Sequence, residues 1–303
     1  KELKILLKLV EEADVFISNF RLGVNEKLGL GREALIKINP NLIYVSITGF
    51  GEEGPLSSAP AYDHVIQGMS GATSIQSSDD KPAYIKTLIF DKITAYTACQ
   101  ALTAALYKRE KTGKASHIKL SMLDSAIFFL WPDGMMNETL LDKDVKKLPP
   151  LSSTYSSLVP AKDGFFVMAA MTDAQWFGIF DAIKKPEYKT DPRFVNASAR
   201  SENMSELVAK ALYSFMDLTV EESINALRAN DVPCAESTPR EEVINHPQVK
   251  ASKTIFQMTS PHQGKLNAVS HPAIFDDERL SIDKTAPSLG EDTKTIIENL
   301  SKE

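Results

Sequence analysis

The sequence predicts an α/β fold built around a parallel sheet, and three observations carry that prediction. Two short apolar runs, at 15–17 and 42–47, flank a helical segment, so the first fifty residues read helix, strand, helix, strand. The second run, LIYVSIT, is apolar on both faces, as buried parallel strands are. It empties into a loop of Gly, Pro and Ser, GFGEEGPLSS, and open α/β sheets place their chemistry where strands end in loops.

The elements follow in order. Residues 1–13 set Leu3, Leu6, Leu7 and Val10 on one helical face. DVFIS is the first strand. VNEKLGLGREALIKIN reads as a helical hairpin broken at Gly29 and Gly31 and ended by Asn39-Pro40, because a residue before proline is pushed out of the helical region. Residues 91–111 are alanine-rich and helical, with Asp91 at the start, Lys108, Arg109 and Lys111 at the end, and Gly113 as the stop. HIKLSM is a short strand, and LDSAIFFLWPDGMMNE a buried helix. DKDVKKLPPLSS, at 142–153, is polar and proline-bearing, as domain linkers are. Beyond it, two short strands turn at Asp163-Gly164, and helices follow near 173–183, 203–216 and 219–229. TIFQM and KLNAV are strand-like, and the chain closes in a helix capped near residues 291–293.

The 303 residues suit one large or two ordinary domains, and 43% apolar with 24% charged residues can build and cover a core. Net charge is −6 and no basic block stands out, which argues against nucleic acid as a partner. No apolar run is long enough to span a bilayer, so no membrane partner is expected. KELKILLKLVEEA is amphipathic and does not read as a signal peptide. Cys99 and Cys234 form neither a disulfide framework nor a metal spacing, and Cys99 reads as a small buried hydrophobe. No metal site is expected, and the whole suits a reduced, cytoplasmic enzyme.

Asp91 reads in two ways, as a nucleophile or general base, or as a plain helix N-cap. GFGEEG can cradle an anion through backbone N–H groups, but it lacks the dinucleotide fingerprint and is otherwise a turn. Tyr62, Asp63 and His64 cluster three titratable groups, and His117, His246, His262 and His271 are scattered without metal-ligand spacing. No nucleophile elbow surrounds Ser121 or Ser125. Asp124 reads as a helix cap, as the buried partner of a cation, or as a second candidate nucleophile.

Several stretches together resemble the class III CoA-transferases of the CaiB/BaiF type, the family of formyl-CoA:oxalate and carnitine CoA-transferases. ADVFISNFRLGVNEKLGLG, NPNLIYVSITGFGEEGP and PAYDHVIQGMSG match its signposts in order, as do the later DPRF, VPCAES, HPQVKA and APSLGEDT. The resemblance implies a Rossmann-like large domain formed by 1–145 and a return segment 251–303, a small α+β domain at 146–250, and an interlocked homodimer. It implies Asp91 as nucleophile, in place of the cap reading, and makes Asp124 structural. It assigns CoA contacts to Asn19 and Phe20, puts Lys27 where relatives hold the CoA phosphates with an arginine, and sets Tyr62 in the active-site loop.

The implied reaction moves CoA from an acyl-CoA to a small carboxylic acid through an aspartyl anhydride and an aspartyl-CoA thioester. No permanently bound cofactor is implied, since CoA enters as part of the substrate. The related α-methylacyl-CoA racemases are the enzymatic alternative, but they use a histidine where this chain has Tyr62, and a phenol is a poor base at neutral pH. A non-catalytic CoA-binding homologue is the third reading. Family members begin with a further βαβ unit, so the sequence reads as a fragment or as a chain without that unit. The glycine run that some members carry in the small domain is missing from DKDVKKLPPLSSTYSS.

Overall fold

The computed structural model describes residues 2–77, 81–145, 147, 158–280 and 282–300. Its contacts divide the chain into two units, 1–154 with 290–303, and 155–289. The sequence reading set its boundaries at 145/146 and 250/251, whereas the contact clusters divide at 154/155 and 289/290. Most of the expected linker at 142–153 lies outside the described residues.

In the first unit, three strands form a parallel sheet in the order β1-β2-β3: β1 (Val15–Ser18), β2 (Ile43–Thr48) and β3 (His117–Ser121). Ser18 pairs with Ser46, and Ser46 with Lys119. Both faces are covered, as a parallel sheet requires. On one face Phe16 and Tyr44 pack with Val10 of α1 (Glu2–Glu12), Leu30, and Leu35 of α3 (Arg32–Ile38). On the other, Ile43 and Val45 pack with Leu102 and Ala105 of α6 (Ile89–Thr112).

Between β1 and β2 the expected helical hairpin is present as α2 (Val24–Lys27) and α3, separated at 28–31. Tyr44 Oη donates to the Leu30 carbonyl at 3.0 Å and pins that break to the sheet. A third cluster joins α4 (Asp63–Met69), α5 (Ala72–Ile75), the start of α6, and α7 (Met122–Leu130) through Ile66, Ala72, Phe90, Ala126 and Leu130. The C-terminal helix, Thr293–Leu300, belongs to the same unit, and the Leu300 carbonyl accepts from Lys8 Nζ at 2.9 Å.

Three sequence expectations change here. The helix expected to open at Asp91 begins at Ile89, with Leu88 at the N-cap position, so Asp91 is the third helical residue and not the cap. Cys99 is exposed, because α6 buries Ala98 and Ala105 and the next residue after Ala98 faces out. α7 is not wholly buried: Phe128 and Phe129 are exposed, since only the Ser125, Ala126 and Leu130 side packs inward.

In the second unit, β4 (Val159–Ala161), β5 (Gly164–Met168) and β6 (Cys234–Glu236) form an antiparallel sheet. Phe166, Phe180, Phe194, Phe215, Leu207 and Leu227 fill its core. Thr172 with Gln175 and Thr219 with Glu222 make capping boxes that start two of its helices. β7 (Ile255–Ser260) and β8 (Gly264–Val269) form a separate hairpin.

Candidate active site

All three parallel strands of the first unit run toward one end of the sheet, and the segments that leave that end line a cavity of about 600 Å³. Asn19, Phe20, Arg21 and Leu22 follow β1, Thr48 and Gly49 end β2, and Met122 follows β3. Ala61 and Tyr62 precede α4, and Asp91, Thr94 and Ala95 come from the first turns of α6.

Two loops meet closely in the wall. A Cβ built on Gly49 would stand 2.4 Å from the Ala61 Cβ, so only glycine lets the β2 loop approach the segment before α4. The loop is held from below as well. Gly51 N–H donates to Thr48 Oγ1 at 3.0 Å, and Leu123 N–H donates to the Gly49 carbonyl at 3.1 Å.

The start of α6 is fixed by a side chain from another helix. Asp63 is only 1% exposed. Its Oδ2 accepts the backbone N–H of Phe90 at 2.7 Å and of Asp91 at 3.2 Å, taking the role an N-cap side chain would fill. Its Oδ1 accepts from Gln67 Nε2 at 2.6 Å. Gln67, fully buried, accepts in turn from Ile85 N–H at 2.9 Å and donates to the Thr87 carbonyl at 3.1 Å. The Asp63–Gln67 pair thus ties together the segment leading into α6 and the first turn that bears Asp91.

The Asp91 carboxylate is exposed to the cavity and takes no hydrogen bond or ion pair among the described residues. It sits in the first turn of a 24-residue helix, where the positive end of the helix dipole favours an anion. A carboxylate presented to an open cavity can act as a nucleophile or a base.

Of the five residues singled out in the sequence, the structure brings four to this cavity: Asn19, Phe20, Tyr62 and Asp91. Lys27, at the end of α2, is exposed and does not line it. Asp124 is exposed at the start of α7, where Ser121 is the cap, and lies outside this lining. His64 turns away, its ring edge-on to Tyr84 with centroids 5.3 Å apart, so no imidazole of the described residues lines the cavity. Sequence reasoning missed Arg21, which brings the cavity a guanidinium with no partner among the described residues. Its signal lay within the quoted NFRLG stretch.

A family model for "CoA-transferase family III" matches residues 1–293. The chain belongs to that family. Among its relatives are proteins named as oxalate CoA-transferases. It is 33% identical over 258 residues to acetyl-CoA:oxalate CoA-transferase of Acetobacter aceti, covering 84% of this chain and 66% of that protein. It is 28% identical to formyl-CoA:oxalate CoA-transferase of Escherichia coli, covering 98% of this chain and 77% of that protein.

Solved structures agree on the fold of this family III chain. The Rv3272 protein of Mycobacterium tuberculosis superposes with a TM-score of 0.85 at 26% identity, over 97% of this chain and 78% of that one. A CAIB/BAIF family protein from Brucella suis superposes with a TM-score of 0.81 at 31% identity, over 98% and 78%. The chain thus spans about two thirds to four fifths of the length of these proteins. No helix of the described residues is long and apolar enough to cross a membrane, and no group of three or more metal-ligating side chains occurs among them.

Proposed function

We propose that this chain carries the nucleophile of an acyl-CoA:carboxylate CoA-transferase, and that the nucleophile is Asp91. The observation that carries the reading is the Asp91 carboxylate, without a partner among the described residues, held on a fixed helix start in a cavity at the ends of the parallel strands.

In the proposed reaction Asp91 attacks the thioester carbonyl, the C–S bond breaks, and CoA thiolate leaves a mixed anhydride. The thiolate then attacks the Asp91 carbonyl of that anhydride, releasing the donor carboxylate and forming an aspartyl-CoA thioester. The acceptor carboxylate attacks this thioester, expels the thiolate again and forms a second anhydride. Thiolate attack on the acceptor's carbonyl yields the new acyl-CoA and frees Asp91. Each step exchanges one acyl derivative of a carboxylic acid for another, so none needs an external oxidant, reductant or metal. The backbone N–H of Gly49, which lines the cavity, is the proposed donor to the developing oxyanion.

Asn19, Phe20 and Tyr62 are proposed to hold the thioester end of CoA. Lys27 is proposed to meet the CoA phosphates, which lie a whole pantetheine arm away from the thioester, so its place outside the cavity suits that role. Tyr62, with no imidazole of the described residues in the cavity, favours transfer over racemisation. Oxalate is the first acceptor to test, because both named relatives carry it in their names.

A homodimer is part of the proposal. Tyr96, Phe128, Phe129 and Trp131 form an exposed aromatic face on α6 and α7, with Tyr96 75% and Phe128 78% exposed. Such a face is suited to burial under a second copy of the chain. The test of the function is direct assay of purified protein with acyl-CoA donors and acceptor acids, beside Asp91→Ala. Transfer is expected from the native protein and loss of about a thousandfold or more from the variant. Transfer by the variant at the native rate would overturn the assignment.

A further inference from the structure

The loop 49–54 carries glycines at 49, 51 and 54, the latter two at φ +86° and +90°. A loop of this composition loses much conformational entropy on ordering, so its local stability depends on the few side chains that tie it down. One residue supplies most of them. Glu52 is partly buried, and its Oε2 pairs with Lys119 Nζ of β3. Its Oε1 accepts from Ser46 Oγ of β2 at 3.4 Å. Ser46 Oγ also lies 3.4 Å from His117 Nε2, so a hydrogen on Nε2 directs the Ser46 hydrogen to Glu52.

The register explains why these groups meet. Ser46 is paired with Lys119 across β2 and β3, so both side chains leave the sheet on one face, beneath the loop that β2 enters. Glu52 folds back over that face from four residues beyond the strand end.

We infer that Glu52 is a positioning residue for the cavity beside Asp91: through Lys119 and Ser46 it holds the glycine loop whose first residue, Gly49, lines the cavity wall. Of the loop, Gly49 lines the Asp91 cavity, next to Thr48, while residues 50–53 line a separate depression with Ser46, Lys119 and Thr48 itself. Glu52 therefore does not touch the space proposed for substrate. Its effect reaches that space through Thr48 and Gly49, at the head of the loop. The kinetic consequence rests on the CoA-transfer reading, whereas the structural one does not.

The decisive comparison uses Glu52→Ala, Glu52→Gln, the charge exchange Glu52→Lys with Lys119→Glu, and Glu53→Ala as control. Glu53 is the exposed acid next in sequence and makes none of these bonds. Amide hydrogen exchange of residues 49–54 is measured in each, with kcat and KM for transfer. Glu52→Ala is expected to speed exchange of the loop about tenfold and to lower kcat more than it raises KM. Glu52→Gln, whose single amide oxygen can replace one of the two carboxylate acceptors but not both, and the charge exchange, which restores the ion pair alone, are each expected to recover part of both. Loop exchange in Glu52→Ala equal to that of the native protein or of Glu53→Ala overturns the tie. Faster exchange with unchanged kcat overturns the positioning role. If the native protein transfers no CoA, the function proposal falls, and the exchange arm alone still decides whether Glu52 holds the loop.

Discussion

The buried Asp63 carboxylate accepts the backbone N–H of Asp91 at 3.2 Å, and of its neighbour Phe90 at 2.7 Å. One acid thus caps the helix on which the other is presented. Because Asp63 occupies the N–H groups of the first turn, the Asp91 side chain is not drawn back onto its own helix end and stays directed to the cavity.

Asp63→Ala leaves two backbone donors and the Gln67 amide without their buried acceptor. The expected cost is about 3 kcal/mol of stability, with transfer activity lost alongside. Asp63→Asn keeps the shape and one acceptor, and is expected to lose about half as much. Urea unfolding checks both, and equal stability of native protein and Asp63→Ala would refute the cap.

Gly49→Ala places a Cβ against Ala61 at 2.4 Å and forces the two cavity walls apart. The expected result is a destabilisation of about 1–3 kcal/mol and weaker substrate binding. The double variant Gly49→Ala with Ala61→Gly is expected to regain part of the loss. Thermal melts of the three proteins give the comparison.

The acid–base behaviour of His117 gives a test in pH. Burial, then the Arg32 and Lys119 charges, hold its imidazole below the usual range, against smaller opposing effects of Glu52 and Glu33. The folded state therefore binds this proton less readily than the unfolded chain does. Its contribution to stability is fully present above the ordinary value of about 6.5 and is lost as pH falls through the lower folded value. His117→Gln is expected to flatten that acidic loss in a series of denaturant melts from neutral to acidic pH. A series parallel to the native one would remove His117 from the account.

Part of this architecture was legible in the sequence and part was not, for identifiable reasons. The β1 and β2 runs, the break at 28–31 and the Gly113 stop of α6 are local patterns, and local patterns survive reading without a structure. Asp91 by itself read as a cap, because capping signals are local; the true acceptor, Asp63, stands 28 residues away. The Glu52–Lys119 pair spans 67 residues and exists only through the β2–β3 register. Phe128 and Phe129 sit in an apolar helix that reads as core, since an apolar run does not show which of its residues face outward.

That last point gives a prediction of its own. Replacing Phe128 and Tyr96 by serine is expected to shift the proposed dimer toward monomer in sedimentation at micromolar concentration. An unchanged dimer would place the interface elsewhere.

The central claim, that Asp91 is acylated during turnover, is tested most directly by trapping. The native protein is incubated with an acyl-CoA donor, quenched with hydroxylamine, digested and analysed by mass spectrometry. A hydroxamate on Asp91, formed only when acyl-CoA is present, is the predicted result. Turnover with the hydroxamate on another carboxylate, or with none on Asp91, would contradict it.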